Sequence, residues 1–219
     1  EVQGWTALEI HHHPDTSKSR SQYLPLLELA VKEAPSDDRN TFYYARELYF
    51  NNRQFEAMLQ FKRHLQLPTA TWAPERAASL RYLAKMAVGA EREEWLRKAV
   101  EQAPDRREAR VELAMYYYET SQWYAGLEYA KSALNIKEKP LEYLCEEEAW
   151  GFLPYDLAAI CAYRLERFEE ALSFGRQAVQ LEPNIVRLKE NLKFYEGAVN
   201  ESNDTACDTN CCDDCSPIK

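Results

Sequence analysis

The fold of this chain is decided by residues 157–172, which read LAAICAYRLERFEEAL. Two small residues in this stretch, Ala159 and Ala171, lie 12 positions apart. In a helical hairpin this spacing puts one small residue on each of the two facing helices, so that the backbones can approach closely. The stretch therefore predicts two helices that pack tightly against each other.

The same spacing occurs twice more along the chain. Ala45 and Ala57 are 12 positions apart, and so are Ala114 and Gly126. Larger apolar residues recur around each pair at i, i+3 and i+4, which is the signal of an amphipathic helix. The sequence therefore predicts an all-α chain built from helical hairpins.

Prolines give a second register, because proline cannot continue a helix and restricts the residue before it. Five of the ten prolines fall at positions 35, 68, 104, 140 and 183, with gaps of 33, 36, 36 and 43 residues. Helix-turn-helix repeats of this kind have a period of ~34 residues. From about residue 36 to 195 the chain resembles the tetratricopeptide consensus, whose small residues and closing proline occupy these offsets. The resemblance implies a right-handed superhelical solenoid with a concave face.

Two regions depart from the repeat. In the second hairpin Leu80 and Arg92 stand where small residues belong, so we expect this hairpin to be offset or splayed. The long final gap predicts an insertion over residues 137–154, with one extra helix from about 142 to 150 and a solvated charge run over residues 146–148. A final helix, from 184 to about 199, is expected to cover the last apolar face.

Composition and charge narrow the class of protein. The formal net charge is −9, of which −5 comes from residue 196 onward, and no basic stripe marks a nucleic-acid footprint. No apolar run approaches the ~20 residues that span a bilayer, and no secretory signal is visible. These features favour a cytoplasmic protein without a transmembrane segment. Because the chain opens at Glu1 without Met, we expect it to be a fragment of a longer protein.

The N-terminal residues carry a second resemblance, to the junction in bacterial family 2 glycosyltransferases that have a C-terminal tetratricopeptide domain. The match is carried by IHHHPD at 10–15, YLPLLE at 23–28, RNTFYYAREL at 39–48 and WAPER at 72–76. It implies a remnant of a catalytic domain at 1–17, followed by the repeat domain at 18–199. Composition marks a third part, an acidic Cys-rich tail at 200–219. The first part is expected to be extended and the tail to be disordered.

The glycosyltransferase resemblance also implies cofactors for the parent enzyme, namely a nucleotide-sugar and a divalent metal, Mn or Mg. In family terms His11 and His13 would help to bind the metal or diphosphate, and Lys18 and Arg20 would offer positive charge to the phosphates. The same residues are equally compatible with a solvated loop and ordinary surface charges. No Asp-x-Asp motif occurs before the tail and no Gly-rich phosphate loop occurs at all, so the chain is expected to lack the catalytic body.

Four cysteines in the tail leave three interpretations open. Cys207, Cys211, Cys212 and Cys215 could bind a metal as thiolates, form two disulfides, or belong to a disordered acidic segment. Two sequons, at 200–202 and 203–205, keep a secretory origin open alongside the cytoplasmic one.

Two functions follow from these features. The first is a non-catalytic scaffold of a glycosyltransferase, which positions a glycan acceptor, a protein partner or a second copy of the chain. The second is a free-standing module that binds a peptide in its groove. An enzyme is the weakest reading, because no nucleophile–base pair or paired-carboxylate motif stands out. The candidate groove residues, on the first helices of the repeats, are Arg39, Asn40, Tyr43, Arg46, Arg76, Arg81, Arg110 and Tyr117.

Overall fold

The structure is a computed structural model that describes residues 23–209, with side chains through residue 202. Every regular element in this range is helical, which confirms the predicted all-α class. The helices are α1 (Tyr23–Glu33), α2 (Asp38–Phe50), α3 (Gln54–Gln66), α4 (Ala73–Met86), α5 (Gly89–Gln102), α6 (Glu108–Glu119), α7 (Trp123–Leu134), α8 (Glu147–Trp150), α9 (Leu153–Arg164), α10 (Phe168–Leu181) and α11 (Val186–Thr209).

Four helical hairpins form the body of the molecule: α2–α3, α4–α5, α6–α7 and α9–α10. Successive hairpins stack, because α3 packs on α4, α5 on α6, and α7 on α9. At the two ends, α1 covers α2 and α11 covers α10. The predicted helical-hairpin solenoid is therefore confirmed, and its apolar core runs along the stack.

The small-residue pairs lie where the helices of a hairpin approach each other. Both members of each pair are buried, and Ala45 and Ala57 belong to one core cluster. At Gly126 an added Cβ would lie 2.9 Å from Cys161 Sγ and 3.5 Å from the carbonyl oxygen of Ala114. A side chain at this position would therefore collide with the next hairpin as well as crowd its own.

The turn between the two helices is the same in the first, third and fourth hairpins. Each contains a residue with positive φ, namely Asn52 at 60°, Ser121 at 59° and Glu166 at 60°. In each, the next residue donates its N–H to a carbonyl five positions back, as Arg53 does to Leu48. This is the Schellman arrangement that ends a helix with a left-handed residue. Because the turn is fixed, the two small residues that flank it are held at a constant register.

The second hairpin is offset and not splayed, which decides between the two predicted alternatives. Helices α4 and α5 pack against each other along their length, and residues 87–88 alone connect them. Gly89, at φ 58°, replaces the left-handed residue of the other turns. Ala84 is the buried small residue of α4, one turn beyond Leu80, and it shares a core cluster with Leu96, 12 positions later. The hairpin is therefore closed with an offset of about one helical turn.

The insertion and the last helix also differ from the prediction. The expected helix over 142–150 is reduced to the four residues of α8, because the side chains of 142–146 are bound by other helices. Helix α11 continues to Thr209, ten residues beyond the predicted end at 199. No helix within residues 23–209 is both long and apolar enough to cross a membrane. The predicted extended segment at 1–17 and residues 210–219 of the tail lie outside the described residues.

Candidate functional site

The candidate site is the surface formed by α2, α4 and α6, the first helices of three successive repeats. We call this surface the first-helix face. Residues 141–150, which we call the inserted segment, belong to the connection between α7 and α9 and turn back across this face. Side chains of the inserted segment contact residues up to 100 positions earlier in the chain, as Tyr143 does with Tyr43. The face that the fold exposes is thus covered by the chain itself.

Tyr143 provides the aromatic contact of the inserted segment. Its ring stacks on Tyr43 of α2, with centroids 6.3 Å apart, and lies 5.5 Å from the ring of Trp72, just before α4. Its hydroxyl donates a hydrogen bond to the carboxylate of Glu75. Burial and this hydrogen bond raise the pKa of Tyr143, so the phenol remains protonated and able to donate.

Leu144 packs against the apolar core beside this aromatic contact and lines a small, mostly apolar cavity, which we call the socket. Its other walls include Pro74, Ala77 and Ala78 of α4 and Ala109 of α6, together with the charged residues Arg81, Arg106 and Glu108. Alanines have no side chain beyond Cβ, which leaves room for a leucine between the two helices. The socket therefore accepts an apolar side chain one position after the aromatic one.

Arg81 of α4 holds the acidic end of the inserted segment. Its Nη2 lies 2.6 Å from Glu146 Oε2 and 2.6 Å from Glu112 Oε1, and its side chain is 6% exposed. Burial opposes the charged form of Arg81, but the two carboxylates outweigh it and raise the pKa of the guanidinium. Burial likewise opposes ionisation of Glu146, yet the charge of Arg81 outweighs it and lowers the pKa of Glu146. The pair is therefore ionised at neutral pH.

Two further contacts fix the ends of the segment at the start of α6, one of them through Arg106, which lies two residues before the helix. Arg106 forms an ion pair with Glu142 and donates to Cys145 Sγ over 3.1 Å. At the other end Glu108 Oε1 accepts the indole N–H of Trp150 over 2.9 Å. The segment is consequently held mainly by side chains rather than by a helix of its own.

The structure separates the predicted groove residues into two groups. Four of them, Arg39, Tyr43, Arg46 and Arg81, lie at the inserted segment, where the charge of Arg46 also lowers the pKa of Glu146. The others make contacts within the scaffold. Arg76 donates to the carbonyls of Leu65 and Ala70, the Tyr117 hydroxyl donates to Glu93, Arg110 donates to the Arg106 carbonyl, and the Asn40 N–H donates to Asp37.

Sequence reasoning missed the residues that cover the face. Glu142, Tyr143 and Leu144 were assigned to an extra helix, and Glu146 to a solvated charge run. The available signal was the insertion over residues 137–154, which carries an aromatic and an apolar residue in a turn-like stretch. Such residues in a connection are unusual for a purely solvated loop.

A group of ligand-type side chains lies beside the aromatic contact. A carboxylate oxygen of Asp38, a ring nitrogen of His64 and a carboxylate oxygen of Glu75 all lie within 4.8 Å of one another. They belong to the start of α2, the end of α3 and the first turn of α4. Among the residues that the structure describes, this is the one group of three such side chains within that distance.

The other predicted ligand residues are not placed by the structure. His11, His13, Lys18 and Arg20 precede the described range. The side chains of Cys207, Cys211, Cys212 and Cys215 also lie outside the described residues. Their metal, phosphate or disulfide roles stay predictions, as do the Mn or Mg ion and the nucleotide-sugar of a parent enzyme.

Comparisons with solved structures place the fold among tetratricopeptide proteins. YrrB, described as a tetratricopeptide protein with an unusual peptide-binding site, matches with a TM-score of 0.62 at 15% identity, over 80% of this chain and 84% of its own. Pseudomonas aeruginosa pilF matches with a TM-score of 0.58 at 18% identity, over 75% and 69%. Yeast Tom70 matches with a TM-score of 0.55 at 16% identity, over 84% and 38%. At these identities the likeness shows the fold alone.

No family model matches the chain, and no curated protein matches it. The chain is therefore a tetratricopeptide-like helical repeat protein by fold. The predicted glycosyltransferase parent receives no support from these comparisons, and the glycan acceptor and second copy remain predictions.

Proposed function

We propose that this chain is a protein-interaction module whose first-helix face binds an extended peptide in place of the inserted segment. The peptide carries an aromatic residue, an apolar residue directly after it and a carboxylate two positions further on. The observation that supports this proposal is the contact set of Tyr143, Leu144 and Glu146, which shows the chemistry that the face accepts. This reading corresponds to the free-standing peptide-binding module and requires no catalytic domain.

The receptor side of these contacts is built from three kinds of subsite. Tyr43 and Trp72 present aromatic rings, the alanines of α4 and α6 form the apolar socket, and Arg81 provides the cation. Aromatic stacking, apolar burial and a charge-assisted pair are each sequence-selective, and together they define a short linear motif. A peptide that matches all three subsites can take over the contacts of the inserted segment.

The inserted segment is suited to displacement. Residues 141–146 form no helix, Leu141 is fully exposed and Tyr143 is half-buried. Glu146 keeps a side-chain exposure of 46%, so water can reach its pair with Arg81. A tethered segment competes at an effective concentration on the order of millimolar. A partner peptide must therefore bind better than the segment, and its apparent affinity is reduced by the fraction of closed chains.

The test uses a chain with an opened face, in which residues 141–146 are replaced by a Gly/Ser stretch of equal length. A fluorescein-labelled peptide, PLEYLSEE, reproduces residues 140–147 with serine in place of Cys145. We expect this peptide to bind the opened chain. Its affinity for the intact chain should be lower by roughly tenfold or more. Fluorescence anisotropy measures both affinities, and a scrambled peptide of the same composition is the control.

A matched pair of arginine variants locates the binding surface. Arg46→Gln removes a cation beside Glu146, whereas Arg92→Gln removes one that pairs with Glu119, away from the face. We expect weaker peptide binding for the first variant and unchanged binding for the second. Failure of the opened, folded chain to bind PLEYLSEE better than the scrambled peptide would contradict the proposal.

A further inference from the structure

The group formed by Asp38, His64 and Glu75 joins the first two repeats at one point. Asp38 begins α2, His64 lies in the last turn of α3, and Glu75 lies in the first turn of α4. Their ligand-type atoms are within 4.8 Å of one another. His64 is fully buried, Glu75 is 4% exposed and Asp38 is half-buried, so the group opens to solvent on the side of Asp38.

His64 is oriented as a ligand would be. Its Nδ1 lies 2.9 Å from the hydroxyl oxygen of Ser79, which is itself fully buried. Its Nε2 is buried and has no hydrogen-bond partner. Metal-binding histidines use one ring nitrogen for the metal and the other for a hydrogen bond that fixes the ring. An unpaired ring nitrogen inside a protein is otherwise unfavourable, because buried polar atoms are nearly always paired.

The ring carries its lone pair at neutral pH. Burial lowers the pKa of His64 to about 4, against opposing attraction from Asp38. The neutral imidazole is the form that binds a metal. Arg76 also favours the neutral ring, while its own guanidinium is engaged by the carbonyls of Leu65 and Ala70.

Arg39 interacts with Glu75 through its charge, but neither carboxylate is in direct contact with a cation among the described residues. Within residues 23–202, neither Asp38 nor Glu75 has an ion pair within 4.0 Å, and Glu75 accepts a hydrogen bond from Tyr143. Both residues lie in the first turns of helices, whose positive ends attract negative charge. The helix ends stabilise the negative charge of the two carboxylates in part, but they provide no hydrogen-bond partner for Nε2 of His64. A cation between the three side chains would satisfy all of them.

We propose that Asp38, His64 and Glu75 bind a divalent cation of the Zn²⁺ type at the junction of the first two repeats. One imidazole and two carboxylates form a nitrogen–oxygen donor set that suits zinc, with a fourth position open to water. Ligand atoms around tetrahedral zinc lie about 3.4 Å apart, so closure requires movements on the order of 1 Å. The inference is independent of the peptide-binding proposal, because it needs no displacement of the inserted segment.

The bound cation would clamp three helices together. It would link α2 to α3 and α4, which now meet through apolar packing, the Ser79 contact and the bond from Arg76 to the Leu65 carbonyl. Because Glu75 also accepts the Tyr143 hydroxyl, the cation would lie directly behind the aromatic contact of the inserted segment.

The experiment uses the full chain with the other metal-binding residues removed. His11, His12 and His13 are replaced by Ala, and Cys207, Cys211, Cys212 and Cys215 by Ser. His64 is then the only histidine of the chain, since the sequence has four. Zn²⁺ is titrated at pH 7, with Mg²⁺ as the control ion, and binding is followed by calorimetry and by ¹⁵N resonances of the imidazole.

We expect one Zn²⁺ per chain, a shift of the Nε2 resonance at one equivalent and a rise in the melting temperature. Asp38→Asn should weaken binding at least tenfold, whereas Asp105→Asn, an exposed aspartate in the corresponding turn before α6, should not. An imidazole spectrum that Zn²⁺ leaves unchanged would overturn the proposal even if the Asp38 variant did not fold. Equal affinity of a folded Asp38→Asn chain would overturn it as well.

Discussion

Gly126 lies at the closest approach between two hairpins, and its replacement by alanine tests the packing register. A Cβ at this position would lie 2.9 Å from Cys161 Sγ, whereas unstrained contacts are ~3.5–4.0 Å. Cys161 is fully buried, so its sulfur can retreat only by displacing its own neighbours. Such overpacking costs about 1–3 kcal/mol, and alanine regains about 1 kcal/mol over glycine in a helix. We therefore expect Gly126→Ala to lower the free energy of unfolding by about 1 kcal/mol.

The sign of this effect should depend on Cys161. When Cys161→Ala has removed the sulfur, Gly126→Ala should become neutral or stabilising by up to about 1 kcal/mol. Urea unfolding followed by circular dichroism measures all four members of the cycle. Gly197→Ala is the matched control, because an added Cβ there meets nothing within 4 Å, and it should stabilise the chain by about 1 kcal/mol. The same destabilisation by Gly126→Ala in both backgrounds would refute the close approach of α7 and α9.

Three further predictions concern other positions of the fold. Ser121→Gly and Glu166→Gly should each raise the free energy of unfolding by about 0.5–1 kcal/mol, because glycine adopts positive φ without strain; urea midpoints check this. Gly175→Ala should lower the melting temperature by several degrees, since the new Cβ would lie 2.7 Å from the buried ring of Tyr195. The pKa of Glu146 in the folded chain is lowered from 4.5, so the stability that its ionised form contributes is present above pH 4.5 and is lost as the pH falls through the folded-state pKa. The difference in free energy of unfolding between the parent chain and Glu146→Gln should therefore shrink as the pH is lowered, and urea unfolding at each pH measures it.

The parts of the fold that follow local rules could be predicted from the sequence. The pairs of small residues, 12 positions apart, predicted three hairpins, because two helices can approach closely only where their side chains are small. The same three hairpins share the left-handed turn residue at a fixed distance from each small residue, as at Asn52. Periodicity and turn chemistry are local properties, and here they agree with the fold.

The second hairpin shows where local reasoning was insufficient. Leu80 and Arg92 occupied the positions of small residues, which suggested a hairpin that is either offset or splayed but could not decide between the two. A two-residue connection that leads into Gly89 shifts the register by about one turn, so that Ala84 takes the buried small position. A change in turn length moves the packing register without any change in the amphipathic pattern that the sequence displays.

The candidate site depends on contacts between residues far apart in the chain. Glu146 and Arg81 are 65 positions apart, and Tyr143 and Glu75 are 68. The conformation of residues 141–146 is set by these partners rather than by a local period, so periodicity alone could not find it. His64 posed the same difficulty, because its burial beside Asp38 and Glu75 appears only when α2, α3 and α4 are assembled.

A disulfide lock tests most directly whether the inserted segment and a partner peptide use the same face. Ala78→Cys and Leu144→Cys place two thiols in the apolar socket, in a chain whose Cys145 and tail cysteines are replaced by Ser. Under oxidation the lock should form and abolish binding of PLEYLSEE, and reduction should restore it. An oxidised, cross-linked chain that binds the peptide as tightly as the reduced chain would contradict the account.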